Sequence, residues 1–128
     1  MLIDFRKPIL DFNGEPLIWR PEQRDAEGKI TKPAQHLLLM NACQEALGGG
    51  FQDEATTLSQ TVKMERFKLG MRISGESPVE ITTEESGEML RLVSKAFPGS
   101  IVYPRASEII NAATKAANTE QKDSGADQ

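Results

Sequence analysis

The sequence has one cysteine, one histidine and no long run of apolar residues, and each shortage excludes a kind of protein. With Cys43 alone, neither an intramolecular disulfide nor a cysteine-rich zinc site can form, and this usage fits a reducing compartment. No stretch approaches the roughly 20 apolar residues that a membrane-spanning helix needs. The opening residues also lack the pattern of a signal peptide. We therefore expect a cytoplasmic protein without membrane association.

The composition is that of one small globular domain. The chain has 128 residues, of which 38% are hydrophobic and 27% charged, and its mean hydropathy is -0.42. A chain of this length can bury one core. Its net charge of -4 suits solubility but does not supply the broad positive field that non-specific nucleic-acid binding needs.

The first part of the chain has the pattern of a β-hairpin. Short apolar pieces in Leu2–Trp19 flank Asn13-Gly14, a dipeptide that favours the positive φ angles of a type I′ turn. Pro8 and Pro16 lack the amide hydrogen of a central strand, so we expect short or edge strands. Arg20–Lys32 carries four basic and three acidic side chains without apolar periodicity, which predicts an exposed loop.

A first helix is predicted from a cap at Thr31, with Pro33 in its first turn, to Leu47. Its apolar residues point nearly all round the axis, so this helix is either central or shared with a neighbour. Gly48–Gly50 follows a helix rather than a strand, and we interpret it as a C-cap and linker instead of a phosphate-binding loop.

A second helix is predicted from an N-cap at Asp53 to Ile73, with Gly70 as a weak point. One apolar stripe faces the core: Ala55, Leu58, Val62, Leu69 and Ile73. A second stripe lies on roughly the opposite side: Met64, Phe67 and Met71. This helix is either buried on two sides, or it exposes the second stripe as a candidate partner surface.

A short strand and a third helix follow. Val79–Ile81 alternates like a strand, and Thr82 with Glu85 matches a capping box in residue types and spacing. The third helix should therefore begin after Thr82 and end before Pro98-Gly99.

The end of the chain contains one more short helix, which Pro104 would open after an extended Ile101–Tyr103. Residues 114–128 have no large apolar side chain, which predicts a disordered polar tail. The expected fold is thus a single α+β domain over residues 1–113, with an N-terminal β-hairpin, three to four helices and one short additional strand.

No residue pattern points to catalysis, to a cofactor or to a metal. Cys43 and His36 share the predicted first helix, but seven residues separate them by roughly 10.5 Å along its axis, beyond hydrogen-bond reach. One histidine and one cysteine do not make a zinc tetrad. We expect Cys43 in the core, His36 on the surface or in packing, and no enzymatic activity.

Nucleic-acid binding would draw on four basic residues of the second helix: Lys63, Arg66, Lys68 and Arg72. Phe67 could stack on a base. The four point in different directions, with the first two on one edge of the helix and the last two on another. A small nucleic-acid-binding accessory or regulatory protein is therefore the alternative hypothesis.

Several stretches together resemble small uncharacterised proteins of tailed bacteriophages and prophages. They are Phe5–Leu17, Leu37–Leu47, Arg66–Ile73 and Val79–Thr82. The resemblance brings no catalytic residues with it. It implies a non-enzymatic protein that acts through protein-protein contacts, with a partner or with a second copy of itself, in virion assembly or on a host target.

Overall fold

The N-terminal part of the fold contains short antiparallel strand pairs, and four α-helices follow in the part of the chain that the structure describes. This structure is a computed structural model and describes residues 1–49, 51, 54, 57–75 and 77–126, with side chains as far as residue 117. The strands are β1 (Leu2–Ile3), β2 (Ile18–Arg20), β3 (Gln23–Arg24), β4 (Ile30–Lys32), β5 (Gln35–His36) and β6 (Val79–Glu80). The helices are α1 (Leu39–Leu47), α2 (Gln60–Ile73), α3 (Thr83–Ala96) and α4 (Val102–Ala126). The predicted α+β class is confirmed.

The turn predicted at Asn13-Gly14 is present but is not of type I′. Within this turn, only Gly14 has a positive φ, of 82°. The Gly14 amide donates to the Asp11 carbonyl at 3.2 Å, and the Asp11 carboxylate accepts from the amides of Asn13 and Glu15 at 2.8 and 2.9 Å. This is a three-residue loop, in which a type I turn is followed by a left-handed glycine. The flanking prolines pair only through isolated bridges, from Pro16 to Leu10 and from Pro8 to Leu38.

The charged segment predicted as a loop instead forms a ribbon. β3 pairs with β4 and β2 pairs with β5, both antiparallel. Residues 21–36 are all exposed, so only the accessibility was predicted correctly. At the tip, the Asp25 carboxylate accepts from Glu27 and Lys29 at 2.9 Å each, and Gly28 has φ of 85°. This turn repeats the Asp-x-x-Gly pattern of the first. That pattern is a local signal for a turn, and the prediction of a loop from charge composition did not use it.

Helix α1 begins at Leu39, not after Thr31, because β4 (Ile30–Lys32) and β5 (Gln35–His36) pair with the preceding strands. The Leu39 and Met40 amides donate to the carbonyls of Lys7 and Phe5 at 2.9 and 2.8 Å. These bonds satisfy two of the amides that a helix start leaves without partners. The helix is central, as its apolar pattern indicated, with five buried residues: Leu39, Ala42, Cys43, Ala46 and Leu47.

Helix α2 begins at Gln60 rather than near Asp53, because Ser59 is its N-cap and accepts from the Val62 amide at 3.2 Å. Asp53 and Ala55, assigned to this helix from the sequence, lie outside the described residues. On the α1 side, the Gln44 side chain donates to the Gly70 carbonyl at 3.0 Å.

The start of α3 is confirmed, including the capping box of Thr82 and Glu85. The last helix differs from the prediction at both ends. Residues 102 and 103, which were expected to be extended, are already helical, with Pro104 in the first turn where a missing amide is tolerated. The helix also continues to Ala126, well beyond the short last helix that the sequence predicts.

The core lies between α1, α3, α4 and the N-terminal segment. β1 pairs with β6, which places the N-terminal strand beside the strand that precedes α3: Leu2 pairs with Glu80 and Ile3 with Val79. The largest fully buried side chains are Phe5, Ile3, Ile9, Leu39, Ile73, Ile81, Met89, Leu92, Ile110, Val93 and Cys43. With this core placed behind it, α2 packs on α1 and turns one long face outward.

Candidate functional site

The outward face of α2 carries three large apolar side chains, which we call the α2 stripe: Met64, Phe67 and Met71. They are 53%, 63% and 61% exposed. The spacing of three and four residues keeps them on one side of the helix, over about 10.5 Å of its axis. The sequence left burial and exposure open, and the structure exposes all three.

A groove runs beside the stripe, between α2, the end of α1 and the segment that follows it. Its volume is about 580 Å³. It is lined by Gln44, Leu47, Gly48, Gly49, Phe51, Glu54, Leu58, Lys63, Arg66, Phe67, Gly70 and Met71. Phe67 and Met71 therefore belong to both the stripe and the groove, and the two form one continuous surface.

The opposite face of α2 is the core face, but it is not wholly apolar. Leu69 and Ile73 are buried as predicted, whereas Val62 is only half-buried. Arg66, which the sequence pattern assigns to a basic surface, lies on the same side and is 6% exposed. Its position four residues after Val62 and three before Leu69 is the signal that would have placed it among the core positions.

A charge cluster surrounds Arg66. Its guanidinium binds both carboxylate oxygens of Glu54, at 3.1 and 2.9 Å, and Glu88 at 3.0 Å. Arg91 donates to Glu88 at 2.7 Å, and the Lys95 ammonium lies 3.8 Å from Glu54. The hydrogen bonds from Arg66 are the main reason that the pKa of Glu54 falls to about 2. The cluster ties the segment that carries Glu54 to both α2 and α3.

The other basic residues of α2 do not join Arg66 in one surface. Arg72 pairs with Glu85 at the start of α3. Lys63 and Lys68 are exposed on opposite sides of the stripe. The four candidates for nucleic-acid contact are therefore separated, and two of them bind carboxylates of this chain.

Cys43 and His36, the pair considered above for nucleophilic chemistry, lie on different elements. Cys43 is fully buried in α1, and desolvation raises the pKa of its thiol to about 12. His36 is exposed in β5. Within the described residues, no three His, Cys, Asp or Glu side chains come together in a way that could hold a metal ion.

None of the described helices combines the length and the apolar character needed to cross a membrane. Comparison with protein families, with curated proteins and with solved structures finds no match to this chain.

Proposed function

We propose that this protein acts without catalysing a reaction, by binding another protein through the α2 stripe and the adjoining groove. The observation that carries the proposal is the exposure of three large apolar side chains in a row beside an apolar groove. Single exposed apolar residues are ordinary, but contiguous ones are typical of interaction sites.

The residue types suit such a role. Phe67 is a rigid anchor whose burial by a partner removes much apolar area from water. Met64 and Met71 are flexible and adapt to an irregular surface. The groove beside them offers space for side chains of the partner. Anchors next to a pocket are the arrangement in which a few residues supply most of the binding energy.

The proposed partner is a protein of a tailed-phage particle under assembly or of its bacterial host, met in the host cytoplasm. This part of the proposal is supported only by the resemblance of the sequence stretches described above. Nucleic acid is the weaker candidate, because Arg66 and Arg72 already bind carboxylates and the remaining lysines lie on opposite sides of the stripe.

The test uses a photo-cross-linking amino acid in place of Phe67 and, as the control, in place of Phe12, which is 89% exposed in the first turn. Adducts formed in producing cells are identified by mass spectrometry, and the captured protein is purified. We expect Phe67→Ser to weaken its binding at least about tenfold and Phe12→Ser to leave it unchanged, with both variants keeping the wild-type melting temperature. Equal binding by the two variants, or the absence of an adduct specific to position 67, would refute the proposal.

A further inference from the structure

We propose that the occupant of this surface is an acidic amphipathic helix of another protein: large apolar side chains on one face, with carboxylates along both borders. This inference rests on the proposed function and adds the chemical class of the partner. The evidence for an acidic partner is the distribution of charge around the α2 stripe. The chain as a whole has a net charge of -4, yet α2 contains four basic residues and a single acidic one, Glu65.

The exposed charges border the stripe symmetrically. At 100° per residue, Lys63 lies about 70° to one side of the centre of the stripe and Lys68 about 70° to the other. Glu65 lies roughly 125° from that centre, close to the back of the helix. A helix laid on the stripe would therefore have an ammonium group along each of its two edges.

The described lining of the groove is also positive in net charge. It contains two cations, Lys63 and Arg66, and one carboxylate, that of Glu54. Arg66 binds this carboxylate, so the Lys63 ammonium is left as the uncompensated charge of the described lining. A partner with carboxylates is attracted to this side of the surface, whereas a basic partner is repelled.

The shape favours a helix. The α2 stripe extends for two helical turns, and the groove runs along it. This length matches apolar side chains at positions i, i+3 or i+4, and i+7 of a second helix. A second copy of this chain fits less well, because a two-fold contact between two stripes brings the lysine borders of both copies together.

The probes are two labelled helical peptides of about 18 residues with leucines at i, i+3, i+4 and i+7, long enough to form several turns. One carries glutamates along both borders, and the other carries lysines at the same positions. Fluorescence anisotropy with the full chain measures Kd. We expect the acidic peptide to bind at least about tenfold tighter than the basic peptide at low salt. The ratio of the two Kd values should fall in 0.5 M salt, because screening weakens contacts between exposed charges.

Two pairs of substitutions locate the charge effect. The double variant Lys63→Glu with Lys68→Glu should reverse the preference between the peptides. Lys29→Glu with Lys32→Glu is the matched control, since both lysines are exposed on the β3–β4 hairpin and the net charge changes equally. This control should keep the wild-type preference. Phe67→Ser should abolish binding of both peptides.

The outcomes separate this inference from the proposed function. If both peptides bind alike and Phe67→Ser abolishes both, the surface binds proteins but the acidic class is wrong. If neither peptide binds, the acidic helix is excluded, while cross-linking at position 67 still decides the function independently. If sedimentation shows a dimer that Phe67→Ser dissociates, the occupant is a second copy and the inference is overturned.

Discussion

At the scale of single residues, Arg66 links α2 to Glu54 and to Glu88 of α3 beside the candidate surface. A guanidinium that is 6% exposed would be costly without partners, and Glu54 and Glu88 supply them. Its Nε finds no hydrogen-bond partner among the described atoms. The segment that forms one wall of the groove is thus held by charge as well as by apolar packing.

Replacing Glu54 with Gln should make the free energy of unfolding depend less on pH in the acid range. The folded state lowers the pKa of Glu54 from 4.5 to about 2, so the carboxylate stabilises the fold above its unfolded pKa. This contribution is lost as the pH falls through the folded value. We expect Glu54→Gln to be less stable by about 1–3 kcal/mol at pH 7, as for other hydrogen bonds to charged groups. The difference should shrink between about pH 4.5 and pH 2.

Urea denaturation at pH 7, 4 and 3 measures that difference. Glu65→Gln is the control, because it removes an exposed carboxylate from α2, the helix whose Arg66 binds Glu54. A Glu54→Gln deficit of the same size at every pH would show that the ion pair is not the cause.

Cys43 should react slowly with a thiol reagent in the native protein. Its side chain is fully buried, so a reagent cannot reach the sulfur, and desolvation raises the pKa of the thiol to about 12. The reactive thiolate is therefore scarce at pH 8. We expect labelling to be at least about 100-fold slower than in denaturant. Similar rates in the two conditions would place the thiol at an accessible position and reopen the question of thiol chemistry.

At the scale of elements, α2 has two apolar faces with separate roles. The inner face packs on α1, and the Gly70 carbonyl accepts a hydrogen bond from Gln44 there. The outer face is the α2 stripe, which no described element covers. Gly70 is not needed for close approach, since a methyl group added there would meet Leu47 at an ordinary 3.9 Å.

Substitutions on the two faces of α2 should have different effects on stability. Leu69→Ala removes a buried side chain and is expected to cost about 2–4 kcal/mol through lost burial and a cavity. Phe67→Ser changes an exposed side chain and should alter stability by no more than about 0.5 kcal/mol. Thermal melts compare the two variants, and sedimentation reports whether either changes the oligomeric state. Equal destabilisation would mean that Phe67 is buried in solution.

At the scale of the whole molecule, the prediction succeeded for features that depend on neighbours along the chain. The capping box of Thr82 and Glu85 set the start of α3 because both partners lie within four residues. The opposed faces of α2 followed from helical periodicity, so spacing alone was enough to group Met64, Phe67 and Met71.

Other features required residues far apart in the chain. The amides of Leu39 and Met40 at the start of α1 donate to carbonyls of residues 7 and 5, so the helix begins where that segment packs rather than at a local cap. The pairing of β1 with β6 joins residues nearly 80 positions apart. Neither partner carries a sequence signal for the other.

For the candidate surface, the sequence by itself determined which side chains share a face of α2, because helical geometry depends only on spacing. Only the tertiary structure decided which face is outward. The placement of α1 and α3 buries Leu69 and Ile73, gives Arg66 two carboxylates and leaves Phe67 in solvent. Burial depends on the summed packing of distant elements, and no local pattern along one helix contains that information.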